Sequence, residues 1–163
     1  MSVVLERASV PELKIIAATR IPDAIAARVA ESALPPAFVA QRALDQLGQG
    51  KSVLWCGLYY IASSEGGRIL GTCGFKDEVK DGTVEIGYGV SPQYRGRGIA
   101  TAAVGQMLRI AFQNDSTISV LAEVSAENHS STRVVQKLGF TASGNRSDED
   151  NELLVRWLAK SGG

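Results

Sequence analysis

An α+β fold built on a mixed sheet is what the sequence predicts, and three observations carry that prediction. Strand-like and helix-like segments alternate along the 163 residues with no internal repeat, linker or low-complexity tract. Three consecutive strand-like segments between Ser52 and Val90 are joined by short turns, which suits an antiparallel meander. A helical stripe, Ile99, Ala103, Met107 and Ile110, then begins directly after a pair of glycines. The expected order is β, α, α, β, β, β, α, β, α, β, β, about seven strands and four helices in one domain over residues 1–163.

Ser2 to Ala8 is β-branched at its start and reads as an opening strand. Ser9-Val10-Pro11-Glu12 has the form of a capping box with proline in the first turn, so a helix begins there. Ile21 to Gln49 is rich in alanine, broken by Pro35-Pro36 and ended by Gly48 and Gly50, which predicts two or three short helices. Ser52 to Ala62 is dense in aromatic and branched residues and reads as strand. Ser63 to Gly67 turns the chain into a second strand, Arg68 to Phe75. Lys80-Asp81-Gly82 is a tight turn of the aspartate-glycine kind, leading into a strand from Thr83 to Val90. After the helix that starts at Gly98 come a strand, Ile118 to Val124, and a short helix, Ser131 to Leu138, closed by Gly139 as a left-handed cap. Phe140 to Ala142 and Glu152 to Leu158 finish as strands, separated by the polar turn SGNRSDEDN.

Composition excludes several function classes. Lysine plus arginine equals aspartate plus glutamate at 17 each, so no global field recruits nucleic acid or an anionic membrane. No apolar run approaches the ~18 residues that cross a bilayer, and the N-terminus lacks a signal-peptide pattern, so a cytoplasmic location is expected. Cys56 and Cys73 have neither CxxC spacing nor a nearby histidine, which predicts buried free thiols and no metal site.

The stretch with most chemical content is EIGYGVSPQYRGRGIATAAV, Glu85 to Val104. A strand enters a turn holding Gly96 and Gly98, and a helix starts at once. A helix N-terminus presents free N–H groups and the positive end of a dipole, and it attracts phosphate. Residues without Cβ let those amides approach an anion, while Arg95 and Arg97 add charge or simply face water. A plain structural turn is the competing reading. No lysine follows the glycines as in GxxxxGKS/T, and no GxGxxG occurs, so P-loop and dinucleotide folds are disfavoured.

Gln93-Tyr94-Arg95-Gly96-Arg97-Gly98 resembles the Q/R-x-x-G-x-G/A motif of the GNAT acetyltransferase superfamily. Asn128 to Ser131 with Lys137-Leu138-Gly139-Phe140, and the EIGY tetrapeptide Glu85 to Tyr88, are similar to its RimJ/RimL-like branch of ribosomal-protein N-terminal acetyltransferases. The resemblance implies the GNAT fold, with the fourth and fifth strands splayed apart, and acetyl-CoA as co-substrate without a metal. The backbone amides of Arg95, Gly96, Arg97, Gly98, Ile99 and Ala100 would cradle its pyrophosphate. Tyr88, Gly89 and Val90 would bond its pantetheine like an added strand, and Asn128 would fix its thioester arm. Glycines in a strand suit such a distortion, or merely relieve crowding.

An amine must lose a proton before it attacks a thioester, and a carboxylate is the natural base. The resemblance offers Glu85 in the fourth strand and Glu123 in the fifth; alternation puts Glu85 on the face of Gly87 and Gly89, which ranks it first. A solvated strand glutamate is the alternative at either position. The superfamily's usual acid, a tyrosine seven residues after the asparagine, is Val135 here, and Ser131 is the substitute implied by the branch. Ser131 would otherwise only steady its helix, and His129 reads as a surface histidine beside the cleft. Ala102 stands where the branch commonly has glutamate. The expected acceptor is a primary amine, with a protein N-terminus favoured by branch. A small-molecule amine is the alternative within the enzyme class, and a non-catalytic acyl-CoA sensor the alternative outside it. Monomer and homodimer both remain open.

Overall fold

The computed structural model, which describes residues 1–162, is organised around a seven-stranded sheet in the order β1-β2-β3-β4-β5-β7-β6. Its strands are β1 (Val3–Arg7), β2 (Tyr59–Ser63), β3 (Ile69–Phe75), β4 (Thr83–Val90), β5 (Ser119–Ser125), β6 (Thr141–Ser147) and β7 (Leu153–Lys160). The helices are α1 (Val10–Ala17), α2 (Ala37–Gly48), the single turn α3 (Val53–Cys56), α4 (Ile99–Asn114) and α5 (His129–Lys137). Every neighbouring pair is antiparallel except β4 and β5, which run parallel because α4 carries the chain across between them. Alternation sends Tyr59 and Ile61 of β2 into a core with Ala103 and Met107 of α4, and Tyr60 into a second core with Leu13 of α1 and Ala43 of α2. At β2 and β3 the sheet is thus covered on both faces, whereas β6 at its far edge is exposed.

Local chemistry explains the helix ends. Ser9 Oγ accepts the Glu12 N–H at 3.2 Å and Glu12 Oε1 accepts the Ser9 N–H at 2.8 Å, so the expected capping box forms. Gly139, at φ +83°, closes α5: its N–H bonds the Gln136 carbonyl while the Phe140 N–H reaches Val135. Asp81 and Gly82 both hold positive φ in the tight turn before β4, as the aspartate-glycine pair predicts.

Three expectations need correction. Residues 21–34 hold no α-helix; the Ala30 N–H bonds the Ile69 carbonyl and the Ile69 N–H bonds Arg28, so the segment is stitched to the side of β3. Only α2, opening after Pro35-Pro36, is helical there. Ser52 to Cys56 is a helical turn rather than strand, buried through Trp55, which meets Phe75 edge-on at 4.7 Å. A Cβ on Gly57 would lie 2.7 Å from the Val53 carbonyl, so glycine permits the sharp exit into β2. Finally, β6 runs on to Ser147 through most of the supposed polar turn, which shrinks to residues 148–151. There Asp148 Oδ1 accepts the N–H groups of Asp150 and Glu152, both at 2.9 Å.

The feature that positions the site is the divergence of β4 from β5. Their pairing covers Thr83, Val84 and Glu85 opposite Ser119, Val120 and Leu121, and then stops. From Ile86 to Val90, β4 stays bonded to β3 alone while β5 continues along β7. The splay implied by the resemblance is present. Among the described residues no helix is long and apolar enough to cross a membrane.

Candidate active site

Where β4 ends, Ser91 is buried and its hydroxyl donates to the Glu31 carbonyl at 2.6 Å, pinning the α1–α2 segment onto the strand. A 3₁₀ turn, Pro92–Tyr94, follows, and Gly96 and Gly98 adopt φ +76° and +77°. Gly98 is the N-cap of α4 in the left-handed region, with no side chain capping the helix. Consequently the N–H groups from Gly96 to Thr101 have no hydrogen-bond partner among the described residues. A Cβ at Gly89, Gly96 or Gly98 would meet no atom within 4 Å, so the space over this backbone is open. Unpartnered amides, a helix dipole and open room together make a cradle whose chemistry suits an anion. Arg97 lies over the Tyr94 ring at 5.1 Å, and Arg95 Nε donates to the Val90 carbonyl at 3.3 Å. Ile99 is buried beneath the cradle and Ala100 half-buried at its edge.

Two cavities meet here. One, of about 460 Å³, extends from Gly96 and Thr101 to Asn128, Ser131 and Lys137. The other, of about 320 Å³, lies across the sheet under the start of α2. Tyr88, Gly89, Val90 and Arg95 line both, so the end of β4 is the shared wall. Close approach of β3 shapes that wall: a Cβ on Gly71 would fall 2.1 Å from the Gly89 carbonyl.

Asn128 is the N-cap of α5, its Oδ1 accepting the Ser131 N–H at 3.1 Å. The helix is therefore capped by Asn128, and the Ser131 hydroxyl makes no hydrogen bond among the described residues. Beside it stands the Tyr88 hydroxyl, shut off from solvent and without a hydrogen-bond partner. Burial raises the Tyr88 pKa, and the neighbouring Ser131 offsets part of the rise although the two hydroxyls are not aligned to bond. Such a buried orphan is rare and invites a ligand explanation.

The two glutamates differ sharply. Glu85 occupies the last paired position before the splay, and its Oε2 accepts from Lys76 Nζ at 2.6 Å. The Lys76 stem passes 3.2 Å from where a Gly87 Cβ would sit, which puts Glu85 and Gly87 on one face as alternation requires. Lys76 lines the smaller cavity, whereas Glu85 lines neither. Glu123, with only 10% of its side chain exposed, is gripped by Arg146 through two bonds of 2.7 Å and faces Arg156 at 3.7 Å. The Arg146 hydrogen bond holds its carboxyl below the usual range. His129 is exposed, lines neither cavity, and Val135 is buried in the core. Both cysteines are free and buried, and burial pushes the Cys73 thiol up to about 12. Among the described residues no group of three metal-ligating side chains forms. Lys76, Arg42 and the Tyr88 hydroxyl are site features that sequence reading did not single out, because only the tertiary fold brings them to the cavities.

A central sheet opened between β4 and β5, with an amide cradle at the head of the crossing helix, defines a coenzyme-A-type acyltransferase architecture, and the chain belongs to the GNAT acetyltransferase family. The model of the acetyltransferase (GNAT) domain matches residues 14–141. In sequence it is similar to an uncharacterized N-acetyltransferase, p20, of Bacillus licheniformis, 30% identical over 87 residues, covering 53% of this chain. The matched segment spans 49% of that relative's length. In structure it is similar to a ribosomal-protein-S5-alanine acetyltransferase from Vibrio fischeri (TM-score 0.72, 18% identity), covering 99% of this chain and 94% of that one. It is also similar to mutant forms of the spermidine/spermine N-acetyltransferase SpeG from Vibrio cholerae (TM-score 0.67, 12% identity), with 97% and 94% covered. At these identities the solved structures attest the fold.

Proposed function

We propose that residues 1–163 act as one N-acetyltransferase unit that moves an acetyl group from acetyl-CoA to a primary amine. The observation that carries this reading is the run of unpartnered amides from Gly96 to Thr101 opening onto a strand edge that has lost its neighbour. Acetyl-CoA supplies the activated thioester carbonyl. The amides of Gly96, Arg97, Gly98, Ile99 and Ala100, with the helix dipole, take its pyrophosphate; the expected Arg95 amide is not free, because it donates to the Pro92 carbonyl at 3.3 Å, which leaves that residue only its charge to offer. The free edge of Tyr88, Gly89 and Val90 takes the pantetheine as an added strand, and Asn128, which lines the same cavity, fixes the thioester arm.

Glu85 is the better base of the two carboxylates, since Glu123 is committed to Arg146 and Arg156. Its carboxylate receives the amine proton through a bridging water, while the Lys76 ammonium, donating to Oε2, holds the carboxylate in place. Ser131, whose hydroxyl is uncommitted, returns a proton to the departing sulfur, with the Tyr88 hydroxyl beside it. Val135 offers no proton, so the duty usual for a tyrosine at that position falls elsewhere. Similarity to both a ribosomal-protein and a spermidine acetyltransferase leaves the acceptor class to chemistry within the second cavity. The same reading sets the enzyme in the cytosol as a monomer or homodimer.

The test is thiol release from acetyl-CoA with an amine panel. Glu85→Gln and Ser131→Ala are each expected to lower kcat on the order of a hundredfold, with acetyl-CoA affinity retained. Full activity in both variants would remove these proton roles, and absence of coenzyme A binding would remove the reading itself.

A further inference from the structure

The smaller cavity has walls of unusual charge. Its floor and sides are apolar, from Ala33, Leu34 and Pro36 to Leu58 and Phe75, and no aspartate or glutamate lines it. Three cations do: Arg42, Lys76 and Arg95. Lys76 is neutralised by Glu85, and Arg95 sits at the junction with the other cavity, bonded to the Val90 carbonyl. Arg42 is different. It projects from α2 on the far side, half-buried, and makes no hydrogen bond or ion pair among the described residues. Phe38, one turn earlier on α2, lines the same cavity and is 66% exposed, a ring at the rim with nothing over it.

Taking the transferase reading as its base, we infer that this cavity selects a compact acceptor amine on an apolar body that also bears a carboxylate, of the apolar α-amino-acid kind. The amine lies toward the shared wall at Tyr88 and Gly89, and the apolar body rests on Leu34, Phe38 and Leu58. The carboxylate meets the planar guanidinium of Arg42, which suits two parallel hydrogen bonds. A volume of about 320 Å³ fits a small molecule at the lower end of ordinary ligand pockets. Polycations are disfavoured by like charge, since no acidic group waits for a second ammonium.

The experiment compares leucine, methionine and phenylalanine with their carboxamides, alongside spermidine and a short peptide with a free N-terminus. Thiol release is followed by kinetics, and calorimetry reads binding of the same compounds to the coenzyme A complex. Each acid should bind roughly tenfold or more tightly than its amide, and Arg42→Gln should erase that ratio while leaving acetyl-CoA affinity unchanged. Arg42→Lys should restore part of it. Equal binding of acid and amide, preference for spermidine or peptide, or an intact ratio in Arg42→Gln each overturns the inference while sparing the transferase. Acid-selective binding without any thiol release would instead uphold the cavity's selectivity and strike at catalysis.

Discussion

Glu123 and Tyr88 show how single side chains divide between holding the fold and serving the site. The Arg146 bond lowers the Glu123 pKa, so the pair stabilises the fold above about pH 4.3. That contribution is lost as pH falls through the depressed value. Glu123→Gln should therefore melt about 2 to 4 °C lower at neutral pH, with the gap closing in acid; thermal scans from pH 7 to 3 check it. Tyr88 behaves oppositely. Its hydroxyl is buried without a partner, so Tyr88→Phe should leave stability unchanged or raise it by about 1 kcal/mol. If that oxygen serves the departing sulfur, kcat should fall on the order of tenfold to a hundredfold in the same variant. Denaturant titration and kinetics on one preparation separate the two effects; equal stability with equal kcat would assign Tyr88 to packing alone.

At the scale of elements, the close contact of β3 with β4 decides the shape of the shared wall. Gly71 faces Val90 in register, and a Cβ there would stand 2.1 Å from the Gly89 carbonyl and 2.9 Å from Val90 Cα. Backbone cannot yield as a side chain tip can, so Gly71→Ala should cost about 2 kcal/mol or more and weaken acetyl-CoA binding by displacing Gly89 and Val90. Gly82→Ala, at a turn remote from the cavities, is the control: it carries φ strain without moving that wall. The elements with strong local signals were legible in sequence: the capping box at Ser9, the aspartate-glycine turn, the buried stripe of α4 and the glycine turn at Gly96 and Gly98 that opens it. Others were hidden for definite reasons. Residues 21–34 carry helical composition, yet the Ala30 N–H and the Arg28 carbonyl are both claimed by Ile69 of β3, a long-range pairing that no local pattern displays. β6 is exposed along its whole length, so it has no apolar alternation to betray it. Glu85 could be placed on the correct face by counting residues, whereas its pairing with Lys76 required β3 and β4 in register.

For the whole molecule, the sheet is interrupted at its centre, where parallel pairing between β4 and β5 ends after Glu85. Amides left open along β4 and at the head of α4 cost nothing while water solvates them, but they forgo the stabilisation a continuous sheet would give. A ligand that bridges the gap restores those bonds in the native state alone, so its binding energy appears as folding energy. At a free acetyl-CoA concentration of one hundred times Kd, linkage adds about 2.7 kcal/mol, which for a chain of this length raises Tm by roughly 5 to 10 °C. Gly98→Ala separates the contributions. Forcing a Cβ into the left-handed region costs about 1 kcal/mol without ligand, while the new methyl group occupies the open space over the cradle. That variant should fold, start from a slightly lower Tm, and gain far less from acetyl-CoA than the parent protein does. A full ligand-induced shift in Gly98→Ala would mean that the coenzyme is held elsewhere, and that the divergence of β4 from β5 serves some purpose other than receiving it.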